Sequence, residues 1–169
     1  MAEVSLLLRP LAADDRRDDF DCGRDSLNQW FWRHAWRNQQ SGMSRTSVLC
    51  DGATGAICGY VALSAGHIER VALPRPAQRN RPEQIPVILL GQLAVDRTHQ
   101  GNGHARLLLM FALATSVRLS QEIGCFGVVT HPLDDEMRGF YRRFGFDDLP
   151  CDPKRSMIVR IVDLQASGF

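Results

Sequence analysis

One segment constrains the fold of this chain more than any other, because it passes from an apolar run through two close glycines into a helical pattern. The apolar run is VILLGQLAV (87–95), the glycines are Gly101 and Gly103, and the helical pattern is HARLLLMFALATSVRLSQEIG (104–124). A continuous apolar run is typical of a central buried strand. Glycine weakens a helix start unless the backbone must adopt a special conformation or approach a ligand closely. The segment therefore predicts a strand, an anion-binding loop and a helix, in that order.

The remaining segments predict strands and helices in mixed order around this unit. Helical patterns occupy 27–40 and 134–146, and strand patterns occupy 4–11, 44–51, 56–73, 125–133 and 155–164. Residues 74–86 contain four prolines and three arginines, which predicts an exposed loop. We therefore expect an α+β fold with a mixed sheet, formed by a single domain over 1–169.

Composition and charge are those of a soluble globular protein. The chain is 44% hydrophobic and 23% charged, with a net charge of +1 and five cysteines. No apolar run has the length of a membrane span, and MAEVSLLLRPLAADD lacks the basic start of a signal peptide, so we expect a cytoplasmic protein. The cysteines form no C-x-x-C pair and the histidines lack zinc-site spacing, which predicts free, mostly buried thiols and no metal.

The basic residues are almost all arginine, since only Lys154 is lysine. Arginine binds phosphate through two parallel hydrogen bonds and stacks on bases, which favours a nucleic-acid partner. A GC-rich genome also favours arginine codons, and the sequence leaves both explanations open.

The glycine loop fits neither of two common phosphate-binding motifs. A Walker motif requires a lysine and a hydroxyl residue after its second glycine, and GNGHARLL has neither. A Rossmann fingerprint requires a third glycine where this chain has Arg106. The loop does fit Q/R-x-x-G-x-G/A, from Gln100 to Ala105.

That motif is the pyrophosphate loop of the GNAT acetyltransferase superfamily, which the chain resembles over 5–165. LAVD before the loop, RGFYRRFGF after it and the final strand agree in order and spacing. The chain further resembles the GNAT toxins of type II toxin–antitoxin systems in DFDCGRDSLNQWF, ALSAGHIERVALP and RPEQIPVILLGQLAVDRTHQGNG. Two positions depart from the usual pattern: His104 replaces Leu, Ile or Met, and Ala105 replaces the commoner Gly. Neither change removes a backbone donor.

The resemblance implies a GNAT fold, with a central, mostly antiparallel twisted sheet flanked by helices. It implies acetyl-coenzyme A as the co-substrate and acetylation of the α-amino group of aminoacyl-tRNA, which blocks translation. It also implies neutralisation by a ribbon-helix-helix antitoxin, and we expect a homodimer.

The resemblance also implies site residues. A backbone N–H among Leu93, Ala94 and Val95 would polarise the thioester carbonyl, although these residues also suit a strand core. Tyr141 would return a proton to coenzyme A, although a packing role is the alternative. The remaining predicted coenzyme contacts are Gln100, Gly101, Asn102, Gly103, His104, Ala105, Arg106, His131 and Phe140. For His131 a hydrogen-bonded strand end is the alternative, and for Phe140 a core position.

No general base is evident, because the strand before the loop has Gln92 and no carboxylate until Asp96. A lysine amine of pKa about 10.4 is neutral in roughly one molecule in a few thousand at pH 7, against about one in ten for an α-amine of pKa about 8. The missing base therefore favours aminoacyl-tRNA over protein lysine.

Three arginines of the proline-rich segment, Arg75, Arg79 and Arg81, are candidate contacts for tRNA phosphates, with a solvated loop as the alternative. Trp32 and Trp36 are candidates for a dimer or antitoxin contact, or for core packing. Two rival functions remain at this point: an N-acetyltransferase of a small amine or protein N-terminus, and a coenzyme A-binding module without catalysis. Tyr141 and the intact loop disfavour the second rival.

Overall fold

The structure, a computed structural model, describes residues 5–169. Its elements in chain order are β1 (Leu6–Pro10), α1 (Asp25–Arg33), α2 (Ala35–Ser41), β2 (Arg45–Asp51), β3 (Ile57–Glu69), β4 (Gln84–Val95), α3 (His104–Ser120), β5 (Gly127–Thr130), α4 (Asp135–Arg143), β6 (Asp147–Asp148), β7 (Met157–Arg160) and α5 (Ile161–Ala166). Short 3-10 turns occupy Arg70–Ala72, Arg75–Gln78 and Arg97–His99.

The strands form one mixed sheet in the order β1-β2-β3-β4-β5-β7-β6. The pairs β1–β2, β2–β3, β5–β7 and β6–β7 are antiparallel. β4 and β5 run parallel, with Val87–Leu90 opposite Gly127–Thr130. This mixed, mostly antiparallel sheet with its helices confirms the predicted fold class, and β4 is central as its apolar run predicts.

The chain divides into two compact units. The first contains the residues through Ser64 together with Gln92–Ala112, and the second contains Ala65–Gly91 with Leu113–Phe169. β3, β4 and α3 each contribute residues to both units. A single domain over 1–169 therefore remains a prediction.

An aromatic cluster forms the core of the first unit. The ring of Tyr60 stacks on Phe31 with centroids 4.3 Å apart, and Phe20 packs edge-on against both rings. The Tyr60 hydroxyl donates a 2.7 Å hydrogen bond to the carbonyl of Leu27. This bond satisfies a buried polar group and fixes α1 over β3.

Gly59 allows α3 to pack closely against the first unit's strands. A Cβ at this position would lie 2.9 Å from both the Ala94 carbonyl oxygen and Cδ1 of Leu108. Leu108, Leu109 and Ala112 are fully buried. Burying each leucine contributes roughly 1.5–3 kcal/mol relative to exposure. This packing holds the first turns of α3 directly behind the glycine loop.

Strands β4, β5 and β7 contribute to a buried apolar cluster in the second unit. Ile85, Val129 and Ile158 belong to one buried cluster. At α4, the Asp134 carboxylate accepts a 2.9 Å hydrogen bond from the Met137 N–H, as an N-cap does. The predicted helix 134–146 is confirmed, although it occupies only Asp135–Arg143.

Two predicted elements differ in kind from the structure. The helix predicted over 27–40 is interrupted at His34, which is exposed and separates α1 from α2. The strand predicted over 155–164 ends at Arg160, where α5 begins. Ile161 and Leu164 are buried three residues apart, so the apolar pattern of this short segment also fits a helix.

Other predicted elements differ only in extent. The predicted strand 56–73 ends at Glu69, and the predicted helix 104–124 ends at Ser120. The predicted strand 125–133 occupies Gly127–Thr130. The predicted loop 74–86 contains the 3-10 turn Arg75–Gln78 and the first residues of β4. Element ends depend on tertiary hydrogen bonds that sequence patterns do not record.

Within residues 5–169, no helix is long and apolar enough to cross a membrane. The same residues contain no cluster of three or more His, Cys, Asp or Glu side chains placed to hold a metal ion. The five cysteines are free thiols; Cys22, Cys50 and Cys58 are buried, Cys125 is half-buried and Cys151 is exposed.

Candidate functional site: the loop between β4 and α3, and a buried tyrosine on α4

The carboxyl end of β4 is part of the core of the first unit. The side chains of Leu93, Ala94 and Val95 are all buried. The next N–H, that of Asp96, donates a 2.8 Å hydrogen bond to the Cys58 carbonyl. The side chains thus fill the core, which leaves only their backbone for the predicted coenzyme contact.

Asp96 organises the turn that follows β4. Its carboxylate accepts hydrogen bonds from the Thr98 N–H at 3.0 Å, the Thr98 hydroxyl at 2.7 Å and the Asp21 N–H at 3.0 Å. Burial raises the pKa of Asp96, but the hydrogen bonds from Thr98 and Asp21 outweigh burial and hold this pKa below its usual value. The carboxylate stays charged and fixes the turn on which the loop is mounted.

Gln100 tethers the loop through its side chain. Its Nε2 donates to the Val95 carbonyl at 2.9 Å and to the Cys22 carbonyl at 3.0 Å. Both of these hydrogen bonds from the amide nitrogen go to the protein backbone. We conclude that Gln100 serves the loop by positioning it, whereas a side-chain contact with coenzyme remains a prediction.

Gly101 and Gly103 both adopt left-handed backbone conformations, with φ of 82° and 79°. A Cβ built on either glycine meets no atom within 4 Å. The backbone conformation therefore explains the glycines, because the left-handed region costs any residue with a Cβ roughly 1–2 kcal/mol. Crowding does not explain them. Asn102 between them is exposed, and its amide donates to the His99 carbonyl at 3.3 Å. The loop therefore presents its backbone to open space.

The amino end of α3 follows directly. The first helical hydrogen bond runs from the Leu107 N–H to the Gly103 carbonyl at 3.1 Å. The N–H groups of His104, Ala105 and Arg106 precede this bond, so the helix itself supplies no carbonyl for them. Together with the helix dipole, these N–H groups are chemically suited to binding a phosphate.

His104 and Arg106 contribute differently to the charge of this site. His104 is buried, and burial, aided by the nearby His99, lowers the pKa of its ring. The neutral ring packs where the family more often has an aliphatic side chain. Arg106 is an exposed arginine beside the loop.

Tyr141 lies on α4 in the second unit and is 3% exposed. Its ring packs edge-on against Phe140 and Phe146, at 5.2 Å from each centroid. Burial raises the pKa of Tyr141 to about 12, while a hydrogen bond with the Thr130 side chain acts in the opposite direction. The phenol is therefore protonated at neutral pH, the state that a proton donor requires.

His131 follows the last residue of β5 and is exposed. Its Nδ1 lies 2.6 Å from the hydroxyl of Ser156. Desolvation lowers the pKa of this ring despite the nearby Asp152 carboxylate. Phe140 is half-buried and also contacts Phe144 edge-on at 5.1 Å. Coenzyme contacts of His131 and Phe140 remain predictions.

The three arginines of the proline-rich segment are not equivalent. Arg75 and Arg79 are exposed. Arg81 is half-buried, its Nε donates to the Ala77 carbonyl at 2.6 Å, and its guanidinium lies 4.4 Å above the Phe126 ring. Arg81 is thus held by the protein, which leaves Arg75 and Arg79 as the freer pair.

Trp32 on α1 and Trp36 on α2 both make contacts within the first unit. The Trp32 Nε1–H donates to the Phe20 carbonyl at 2.9 Å, although the residue is 37% exposed. Trp36 is half-buried and packs against the aromatic core. This arrangement favours core packing for Trp36 and leaves the face of Trp32 accessible.

Comparison with known proteins assigns the family. The model described as "Acetyltransferase (GNAT) domain" matches residues 44–148. The chain belongs to the GNAT acetyltransferase family. It is therefore an acyltransferase, and acetyl-coenzyme A is its co-substrate.

Among its relatives, this GNAT acetyltransferase is 36% identical over 151 residues to the tRNA-acetylating toxin of Mycobacterium tuberculosis (strain ATCC 25618 / H37Rv), covering 89% of this chain and 90% of the toxin. The structure of AtaT complexed with acetyl-methionyl-tRNAfMet matches with a TM-score of 0.90 and 28% identity, covering 98% of this chain and 100% of AtaT. AtaTR bound with AcCoA matches with a TM-score of 0.85 and 27% identity, covering 97% of this chain and 98% of that one.

The loop geometry predicts that Gly103→Asp abolishes acetyl-coenzyme A binding, because a carboxylate would occupy the space open to a phosphate. Gly55→Asp is the matched control, since Gly55 also has a left-handed φ of 74° and open space around its Cβ. Isothermal titration calorimetry on the two folded variants checks the prediction. Unchanged affinity in Gly103→Asp would contradict the loop assignment.

Proposed function

We propose that this GNAT acetyltransferase is a toxin that transfers acetyl from acetyl-coenzyme A to the α-amino group of aminoacyl-tRNA. The observation that carries the proposal is the 36% identity to a tRNA-acetylating toxin along nearly the whole of both chains. A toxin of this kind blocks translation, and it would act in the cytoplasm, where charged tRNA is found.

Coenzyme binding is assigned to backbone groups. The N–H groups at the start of α3 and in the loop bind the pyrophosphate, and Arg106 adds positive charge. A backbone N–H among Leu93, Ala94 and Val95 polarises the thioester carbonyl. The positive φ values of Gly101 and Gly103 and the open space above them support this assignment.

The reaction requires a neutral amine and a proton for the departing thiolate. The α-amine of an aminoacyl ester attacks the thioester carbonyl, the C–S bond breaks, and the amine loses one proton to solvent. Tyr141 donates its phenolic proton to the thiolate and is then reprotonated. The absence of a carboxylate on β4 before Asp96 suits an amine with a low pKa, which needs no strong base.

Two further partners belong to the proposal. A ribbon-helix-helix antitoxin neutralises the toxin, and two copies of the chain form a homodimer. The exposed indole face of Trp32 is a candidate contact for either partner. The resemblance to the GNAT toxins supports both.

The first prediction from this mechanism concerns the two tyrosines of the chain. Tyr141→Phe removes the proposed acid and should lower kcat for charged tRNA by roughly 10²–10⁴-fold, the usual contribution of a positioned acid. Acetyl-coenzyme A affinity should be unchanged. Tyr60→Phe is the control, because it removes another buried hydroxyl, the one bonded to Leu27, and should retain kcat. A Tyr141→Phe rate within threefold of the parent would exclude Tyr141 as the acid.

A second prediction concerns recognition of the tRNA backbone. Replacing Arg75 and Arg79 together by Ala should raise the KM for charged tRNA and weaken its salt dependence, because fewer counterions are released. The KM for acetyl-coenzyme A should not change. Arg16→Ala, at another highly exposed arginine, is the control. Steady-state kinetics at several salt concentrations tests this, and an unchanged tRNA KM would remove the pair from the interface.

A further inference from the structure

A short segment before α1, residues 21–23, is hydrogen-bonded to the turn that carries the glycine loop. The Asp21 N–H donates to the Asp96 carboxylate at 3.0 Å, and the Arg97 N–H donates to the Asp21 carbonyl at 2.8 Å. The carbonyl of the following residue accepts the 3.0 Å hydrogen bond from Gln100 Nε2. Three backbone groups of the 21–23 segment therefore hold the turn on which the loop is mounted.

Asn28 holds the same segment from the side of α1. It lies in the first turn of that helix and is 5% exposed. Its Oδ1 accepts a 2.9 Å hydrogen bond from the Cys22 N–H, and its Nδ2 donates to Oδ1 of Asp21 at 2.8 Å. A backbone N–H can only donate and a carboxylate can only accept, so these two partners fix the orientation of the Asn28 amide.

The Asp21 carboxylate is a charged partner for that amide. The same Oδ1 also accepts a 2.8 Å hydrogen bond from the N–H of Gly23, whose φ is 84°. The hydrogen bonds from Gly23 and Asn28 hold the pKa of Asp21 below its usual value. Its other oxygen lies 3.7 Å from Nε of Arg97. The hydrogen bond that Asn28 donates is therefore of the stronger, charge-assisted kind.

A loop that contains two glycines benefits from being held before its ligand arrives. Gly101 and Gly103 give the backbone many accessible conformations, and ordering them on binding costs conformational entropy. A loop that is already fixed presents its N–H groups without that cost, which raises affinity. Asn28 fixes the 21–23 segment, and this segment in turn fixes the turn after β4.

We propose that Asn28 is a positioning residue for the coenzyme loop, which it keeps in the binding conformation through the 21–23 segment. The inference rests on the proposed assignment of coenzyme binding to this loop. Asn28 acts through the backbone of other residues, all of which belong to the first unit. The proposal also gives a role to DFDCGRDSLNQWF (19–31), a segment in which the chain resembles the GNAT toxins.

Two variants of Asn28 test the proposal. Asn28→Asp keeps the size of the side chain and places a second carboxylate against that of Asp21, so the Kd for acetyl-coenzyme A should rise roughly tenfold, about the effect of losing one hydrogen bond to a charged group. Asn28→Ser removes both hydrogen bonds without burying a charge, and it should raise the Kd in the same way. Isothermal titration calorimetry checks both variants. A Kd within twofold of the parent in folded Asn28→Ser would overturn the proposal.

A compensating substitution tests the pairing of the two side chains. Adding Asp21→Asn to Asn28→Asp removes the repulsion and restores one donor and one acceptor to the pair. The double variant should therefore recover most of the affinity that Asn28→Asp loses. A double variant that binds no more tightly than Asn28→Asp would contradict the proposal.

Gln39→Ala is the matched control for a general loss of stability. Gln39 lies on α2 in the same unit, and its amide also bonds to the backbone. It accepts from the Thr46 N–H at 2.8 Å and donates to the Leu11 and Thr46 carbonyls at 3.4 Å. Gln39→Ala should lower the Tm but leave the Kd for acetyl-coenzyme A unchanged. A rise in Kd equal to that of Asn28→Ser would assign the effect to general damage and overturn the proposal.

Hydrogen exchange tests the positioning role in the absence of coenzyme. The amides of residues 97–106 should exchange faster in Asn28→Ser than in the parent, and at the parent rate in Gln39→Ala. Unchanged exchange in Asn28→Ser would contradict the proposal.

Gly103→Asp separates this proposal from the loop assignment. If Gly103→Asp retains its affinity for acetyl-coenzyme A, the loop assignment fails and this proposal fails with it. If Gly103→Asp loses binding while Asn28→Ser keeps the parent affinity, the loop assignment stands and this proposal alone fails.

Discussion

Two left-handed glycines between β4 and α3 are the constraint on which the proposed coenzyme site depends. The chain must leave a buried strand, turn sharply and enter a helix while its N–H groups face open space. Gly101 and Gly103 provide the turn. The Asp96 carboxylate and the Gln100 amide join it by hydrogen bonds to the backbone before α1. Gly59 also leaves room for the Leu108 side chain, so the first turns of α3 pack closely against β3. The two glycines of the loop thus face open space, while hydrogen bonds to Asp96 and from Gln100 hold the loop in place.

The proposed chemistry depends on the protonation states of two groups, the acceptor amine and the Tyr141 phenol. The α-amine of the proposed aminoacyl-tRNA substrate has a pKa low enough for a useful fraction to be neutral at pH 7, which suits a β4 strand without a carboxylate. The phenol of Tyr141, as the proposed acid, has the opposite requirement, because it must remain protonated until a thiolate forms. Burial among Phe140 and Phe146 meets that requirement, since it raises the pKa of the phenol.

Much of this site could be predicted from the sequence because its signals are local. The apolar run, the two glycines and the following helical pattern lie within one segment and predict β4, the loop and α3. The side-chain bonds of Gln100 and Asp96 were not predictable, because their partners in the loop before α1 lie 78 and 75 positions away. The break at His34 and the helix α5 were missed because short apolar patterns fit more than one periodicity.

The central claim is that the acetyl group is placed on the α-amine of an amino acid esterified to tRNA. The most direct test is mass spectrometry of the aminoacyl-adenosine that nuclease releases from charged tRNA treated with the protein and acetyl-coenzyme A. The proposed function predicts N-acetylated aminoacyl-adenosine, which Tyr141→Phe should form roughly 10²–10⁴-fold more slowly than the parent protein. Unmodified aminoacyl-adenosine, together with efficient acetylation of a polyamine or a protein N-terminus in the same preparation, would contradict the claim and assign the enzyme to small or N-terminal amines.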